Sequence, residues 1–199
     1  VTPHQVSSNA QYQLQYQAQQ PVEGLYIPSH RPASSYQQVS TIPTSPHTNA
    51  QQYQEYQNLM QQVFHGGRSE NPGGVMKRSL ISLAVFGYGN EAVAQNSEYV
   101  ALFEGFQEVL RNLLPERLGF RRLEIRMPDV VLVTETGQFA LDAMSGGINA
   151  LFTIAWQIQM FGWGKESCTV LIDEPENHLH PSMQRSLMPS LAKAFPDYR

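Results

Sequence analysis

Beyond residue 75, apolar side chains recur at spacings that dictate regular structure. Leu80, Leu83, Ala84 and Tyr88 suit one face of a helix, weakened at its end by Gly87 and Gly89, with Asn90 favouring a turn. Val100, Phe103, Phe106, Val109, Leu110, Leu113 and Leu114 form a second helical stripe, with Ser97 as its expected cap and Pro115 closing it. The stripe reads as core rather than as a partner-binding face. Residues 122–126 and 130–134 alternate as strands. Residues 135–138 read as a hairpin loop with Gly137 in the turn conformation, returning through 139–141. Ile148, Leu151, Phe152, Ala155 and Ile158 mark a third helix, with Ser145 as its cap. Residues 169–172 are a short apolar strand, read as buried and stopped by Pro175, which has no N–H for a ladder. Met183, Leu187 and Leu191 recur four apart in a last helix, capped by Ser182, bent or broken at Pro189 and followed by Pro196. Helices alternating with strands give an α/β fold with a helical subregion.

Residues 1–75 follow another rule. Glutamine alternates with tyrosine at 11–17 and around 51–57, and Pro28, Pro32, Pro43 and Pro46 punctuate the middle. Little aliphatic area is available there to offset the entropy of ordering. The composition therefore assigns 1–75 as a Gln/Tyr-rich, partly disordered segment and 76–199 as the globular portion. Within the first segment, 1–20 is expected to be mobile, 21–45 ordered only with a missing partner, and 65–75 a flexible connection. Residues 48–64 can form a polar helix with Tyr53, Tyr56, Met60 and Phe64 on one side, spaced 3-4-4.

Composition narrows the function classes. The chain has 199 residues, a formal net charge of −4 and a pI near 5.8, so no global charge draws it to nucleic acid. Arg121, Arg122 and Arg126 make a local basic cluster, read as a solvated strand face. Cys168 is the single cysteine and excludes a disulfide framework. It reads as a small buried residue beside the strand. No apolar run approaches the roughly 20 residues of a membrane span, and no signal pattern stands at the start. A cytoplasmic location is the expectation.

The chemistry concentrates in two places. The strand 169–172 runs straight into Asp173 and Glu174, placing two carboxylates at the carboxyl edge of a sheet, where open α/β folds bind ligands. Asp173 suits Mg²⁺, a hard cation that keeps several waters. Glu174 can orient or deprotonate an attacking water. Successive strand residues point to opposite sides, so the strand end must twist or open for both to serve one site. Upstream, Ser145-Gly146-Gly147 opens the third helix. Its free N–H groups and positive dipole end suit an anion.

The order of these parts, Ser-Gly-Gly helix start, helix, then apolar strand ending in Asp-Glu, resembles the ATP-binding-cassette arrangement. The run 173–181 (Asp-Glu-Pro-Glu-Asn-His-Leu-His-Pro) resembles the AAA_21 branch, relatives of overcoming-lysogenization-defect-type ATPase domains. The likeness extends more weakly through 80–90 and 102–110, and 26–32 resembles a segment from inside such domains. The resemblance implies a partial P-loop NTPase fold, with 1–75 as an interior part of the ATPase domain. It implies ATP hydrolysis with Mg²⁺ by a head-to-tail homodimer. On it, Asp173 is the Walker B aspartate that supports the metal and Glu174 the catalytic glutamate. Ser145, Gly146 and Gly147 form the signature loop on the opposite subunit's γ-phosphate, and 176–180, with His178 and His180, stand in the place of the D-loop. Met144 replaces a frequent leucine. Relatives of this kind also work with nuclease or DNA-associated partners.

Two parts of that pattern are missing from the 199 residues. There is no Gly-x-x-x-x-Gly-Lys-Ser/Thr phosphate loop, and no switch histidine after a following strand. The expectation is a fragment of a longer ATPase, poorly active alone. Two other readings stand beside it. One is a metal-dependent hydrolase using Asp173, Glu174, Glu176, His178 and His180. The other is an interaction scaffold built on the Gln/Tyr-rich front.

Overall fold

The organising element of the computed structural model is a helix apolar on nearly every side. The structure describes residues 2–5, 12–15, 24–29, 31, 35–43, 49–64 and 71–199. Helix α4, Gly146–Gly162, buries Leu151, Phe152, Ile154, Ala155, Trp156, Ile158 and Met160. A helix buried on nearly every side, its polar Asn149, Thr153 and Gln157 included, belongs at the centre of a fold. On it pack α1 (Asn49–Phe64) and α3 (Ser97–Leu113), and α2 (Pro72–Tyr88) packs in turn on both of these. The final helix, α5 (Pro181–Ala194), packs on α3 as well. Phe106 of α3 meets Phe152 edge-on at 5.1 Å, and Tyr56 of α1 lies 5.1 Å from Trp156. The polar helix expected at 48–64 is therefore α1, with Tyr56 and Met60 buried and Tyr53 packed against the core. The side chain of Phe64 lies outside the described residues.

Among the described residues the strands form three sheets. Strands β1 (Thr2–Gln5) and β2 (Tyr12–Gln15) pair antiparallel, so these parts of 1–20 take regular structure that composition did not foresee. The rest of 1–20 lies outside the described residues. Strands β4 (Phe120–Arg126), β5 (Asp129–Thr134) and β6 (Gln138–Ala140) form an antiparallel meander. The third pair joins β3 (Gly24–Ile27) to β7 (Thr169–Ile172) in parallel, with Ile27 opposite Ile172. Leu25 and Ile27 are buried under α4, so 24–27 is ordered by its own chain and not by a missing partner.

Several local expectations are corrected. Residues 71–75 are not a flexible connection. Asn71 caps α2 by accepting from the Gly73 N–H, and Pro72 takes the first helical turn, where its missing N–H costs nothing. Residues 65–70, the remainder of that expected linker, lie outside the described residues. Helix α3 is capped by Asn96, not Ser97; the Asn96 side chain accepts from the N–H groups of Glu98 and Tyr99. Gly137 does not adopt positive φ, because Thr134 closes the loop instead. Its N–H and Oγ1 both donate to Gly137 O, at 2.9 and 2.8 Å. The positive φ of 59° belongs to Gly119, before β4. Pro189 lies inside α5 without ending it. It is exposed, as is Arg185 one turn earlier, so water can serve the carbonyl that loses its helical partner. Helix α5 is capped by His180, not Ser182. The strand β7 is not fully buried: Leu171 is 60% exposed, and among the described residues the sheet here has two strands. Beyond β3, the opposite edge of β7 meets the backbone of Arg199, whose carbonyl accepts from the Val170 N–H at 2.6 Å.

Candidate active site

The two chemical places of the sequence are carried by rigid elements. Asp173 follows β7 directly, and its N–H donates to Ile27 O at 2.9 Å, extending the parallel ladder by one residue. Its Oδ2 accepts from the Tyr26 hydroxyl at 3.5 Å, a long contact. Glu174 then adopts φ 43°, a left-handed conformation that non-glycine residues seldom take. That conformation breaks the strand's alternation at Glu174. The following turn is closed by Asn177 N–H to Glu174 O at 3.0 Å and Leu179 N–H to Glu176 O at 3.0 Å. His178 is a second left-handed residue, at φ 68°. Asp173, Glu174, Glu176, His178 and His180 are all exposed.

The Ser-Gly-Gly mouth stands on α4. Ser145 occupies the cap position and its carbonyl accepts from the Asn149 N–H, but its side chain makes no capping bond. The expected cap is thus one of position alone, and the first N–H groups of α4 receive no acceptor from Ser145 Oγ. Gly146 has open space where a Cβ would stand. Gly147 lies against the loop after β7: a Cβ there would sit 3.4 Å from His178 O and 3.5 Å from the Met183 side chain. The mouth and that loop share a cavity of about 490 Å³, lined among others by Arg117, Ser145, Gly147, His178, His180 and Met183. His180 turns one ring nitrogen to α5, where Nδ1 accepts from Ser182 N–H at 3.3 Å.

The structure therefore brings Ser145 and Gly147 together with His178 and His180. It does not bring Asp173 or Glu174 into that cavity; both stand at the tip of β7, outside its lining. Among the described residues no group of three or more His, Cys, Asp and Glu side chains gathers as a metal site, so the clustered hydrolase centre is not formed. The donor chemistry at Asp173, an exposed carboxylate with a hydroxyl nearby, fits a cation that keeps most of its water shell better than one needing three or four protein ligands.

Two basic residues escaped the sequence reading. Arg117, from the turn Glu116–Leu118 between α3 and β4, lines the cavity. Arg31 is buried at 4% exposure behind the acidic turn, and its Nη2 donates to Glu174 O at 2.8 Å and Asn177 O at 3.2 Å. Burial pulls the Arg31 pKa below the usual arginine value, while Tyr56 and the nearby Glu176, Glu174 and Asp173 oppose the shift. A signal for Arg31 existed: it follows a short apolar strand at a spacing similar to that of the acidic turn after β7.

A parallel strand pair packed by an apolar helix, an acid pair at one strand's tip and a glycine-opened helix mouth define a P-loop-NTPase-like α/β domain. The chain belongs to the AAA_21 family, described as "AAA domain, putative AbiEii toxin, Type IV TA system", whose model matches residues 33–197. Membership of this AAA family brings nucleotide-binding, ATPase-type activity in broad terms, with nucleotide and Mg²⁺ as the family's usual ligands. Among curated proteins none matches this chain. Among the described residues no helix is long and apolar enough to cross a membrane.

Proposed function

We propose that this chain contributes two half-sites to an ATP-hydrolysing, head-to-tail homodimer of the ATP-binding-cassette type. The observation that supports this reading is the separation of the two chemistries within one copy. The Ser145–Gly147 mouth opens on a cavity with His178 and His180, while Asp173 and Glu174 lie outside it. A second copy, rotated head to tail, would set the mouth of one against the acid pair of the other.

The reaction is ATP plus water giving ADP and phosphate. Glu174 accepts a proton from the attacking water, and its left-handed backbone aims the carboxylate away from the strand's alternation. Asp173 would hold Mg²⁺, and the ion would supply charge neutralisation of the phosphates. The N–H groups of Ser145, Gly146 and Gly147 receive the terminal phosphate of the partner's nucleotide at a helix start. The 199 residues hold no Gly-x-x-x-x-Gly-Lys-Ser/Thr phosphate loop, so the roles assigned to this chain are those of the acid pair and the helix mouth. Hydrolysis in this reading serves a nuclease or DNA-associated partner.

Glu174→Gln in the complete protein tests the assignment. Phosphate release should fall by about 10²–10⁴-fold, the ordinary contribution of a general base, while an ATP-bound dimer accumulates on gel filtration. Undiminished turnover removes Glu174 from the mechanism. In the same assays Ser145→Arg should reduce hydrolysis more than ATP binding; equal loss of both signals misfolding instead.

A further inference from the structure

Arg31 spends a buried positive charge on backbone carbonyls. Its Nη2 donates to Glu174 O at 2.8 Å and Asn177 O at 3.2 Å, with Pro175 O at 3.5 Å. Its Nε and Nη1 are buried and have no hydrogen-bond partner, and no carboxylate forms an ion pair with it among the described residues. Three acids stand nearby, Asp173, Glu174 and Glu176, yet the guanidinium takes none of them as a direct partner. A methionine of similar length would fill the same space without burying charge or orphaned N–H groups. What only the arginine supplies is the set of contacts to the acidic turn.

That turn needs holding. Glu174 sits at φ 43° and His178 at φ 68°, two left-handed residues with full side chains within five positions. Such conformations persist only where their surroundings over-determine them. The surroundings here are the residues after β3. Besides Arg31, Asn177 Nδ2 donates to Ser29 O at 3.2 Å. Two straps thus cross between 29–31 and 174–177, just past the tips of the paired strands.

We propose that Arg31 is a positioning residue for Glu174: through the carbonyls of Glu174 and Asn177 it fixes the turn that aims the Glu174 carboxylate. The proposal rests on the ATPase reading for its consequence in catalysis, and on the straps alone for its consequence in structure. Charge-assisted bonds to a carbonyl are stronger than neutral ones, so their loss frees the turn before it disturbs the core.

The test has two arms. In the first, hydrogen exchange is followed in the 199-residue chain carrying Arg31→Met or Arg31→Gln. The hydrogen-bonded amides of Asn177 and Leu179 in 174–179 should exchange about tenfold faster, the loss of roughly one charge-assisted hydrogen bond, while those of α4 keep their protection. Arg31→Lys, which still donates to carbonyls, should recover part of the difference. A folded Met or Gln variant with unchanged exchange at 174–179 overturns the proposal. In the second arm, the complete ATPase carrying Arg31→Met should lose about tenfold in kcat with KM for ATP nearly unchanged; unaltered kcat beside an inactive Glu174→Gln enzyme also overturns it. If Glu174→Gln leaves hydrolysis intact but the exchange arm succeeds, the ATPase assignment fails and the strap stands.

Discussion

Lys77→Met removes the centre of a buried ion cluster. Lys77 is a single charged position on the buried side of α2, with 1% side-chain exposure. Its Nζ donates at 2.6 Å to Asp129 Oδ1, at 2.6 Å to Asp142 Oδ2 and at 2.9 Å to Gln37 O, so all three N–H groups are used. Asp129 opens β5, and Asp142 lies in the short turn Leu141–Ala143 that leads to Ser145. The substitution leaves two carboxylates facing each other. Removing one partner of a buried pair costs about 3–5 kcal/mol, and the lower end applies because Asp129 is 34% exposed and keeps some water. About 3 kcal/mol is a large part of an ordinary stability of roughly 5–15 kcal/mol. It corresponds to a fall in Tm of roughly 6–12 °C for a chain of this size. Urea unfolding followed by circular dichroism measures it, with the m-value confirming that both proteins expose the same surface. The triple variant Lys77→Met, Asp129→Asn, Asp142→Asn should regain much of the loss, because no charge is then stranded. A Lys77→Met protein within about 0.5 kcal/mol of wild type refutes the reasoning, since that is the range of an ordinary surface change.

The same cluster sets an alkaline limit. Burial alone would lower the Lys77 pKa, but hydrogen bonds and charge from Asp129 and Asp142 win, and it stands above its usual 10.5. A raised folded pKa means the stabilisation is complete below about pH 10.5 and lost as pH climbs through the folded value. Tyr53, pushed up to about 12 by burial, adds an alkaline loss of the same sign to both proteins. The difference between the wild-type and Lys77→Met stability curves therefore carries the lysine, and it should shrink only above pH 10.5.

Two further substitutions probe local geometry. Asn96→Ala should destabilise by about 1 kcal/mol, because the N–H groups of Glu98 and Tyr99 lose their acceptor; Ser97→Ala should be close to neutral in the same thermal melt. Gly89→Ala should cost about 1–3 kcal/mol, since φ is 65° and a Cβ would stand 2.4 Å from Val93 O. An unchanged Tm for Gly89→Ala would show that the turn 89–93 relaxes freely.

The parts legible in the sequence are those whose cause is local. Thr169–Ile172 ends where charge and proline follow, and α4 shows its apolar surface in its own residues. The β4–β5–β6 meander follows from alternation and short connections. What escaped depends on distant partners or on competition between adjacent residues. Nothing in Gly24–Ile27 announces β7 as its neighbour, because strand pairing across most of a chain leaves no periodicity behind. Asn96 outcompetes Ser97 by one position, and Pro72 turns what looked like a glycine-rich linker into a helix start. At the site, the acid pair and the Ser-Gly-Gly mouth were readable as chemistry. Their placement on separate surfaces, and Arg31 behind the turn, required the fold.

Tyr56 against Trp156 gives the molecule an internal reporter. Trp156 is wholly buried, whereas Trp163, just past the C-terminal end of the same helix, is partly exposed. Light emitted by the buried indole depends on whether the Gln-rich helix α1 is seated on α4, because Tyr56 forms part of its enclosure. Wild-type protein thus carries its own optical record of how its least apolar helix joins the core, with Trp163 as an accompanying reference and no dye attached.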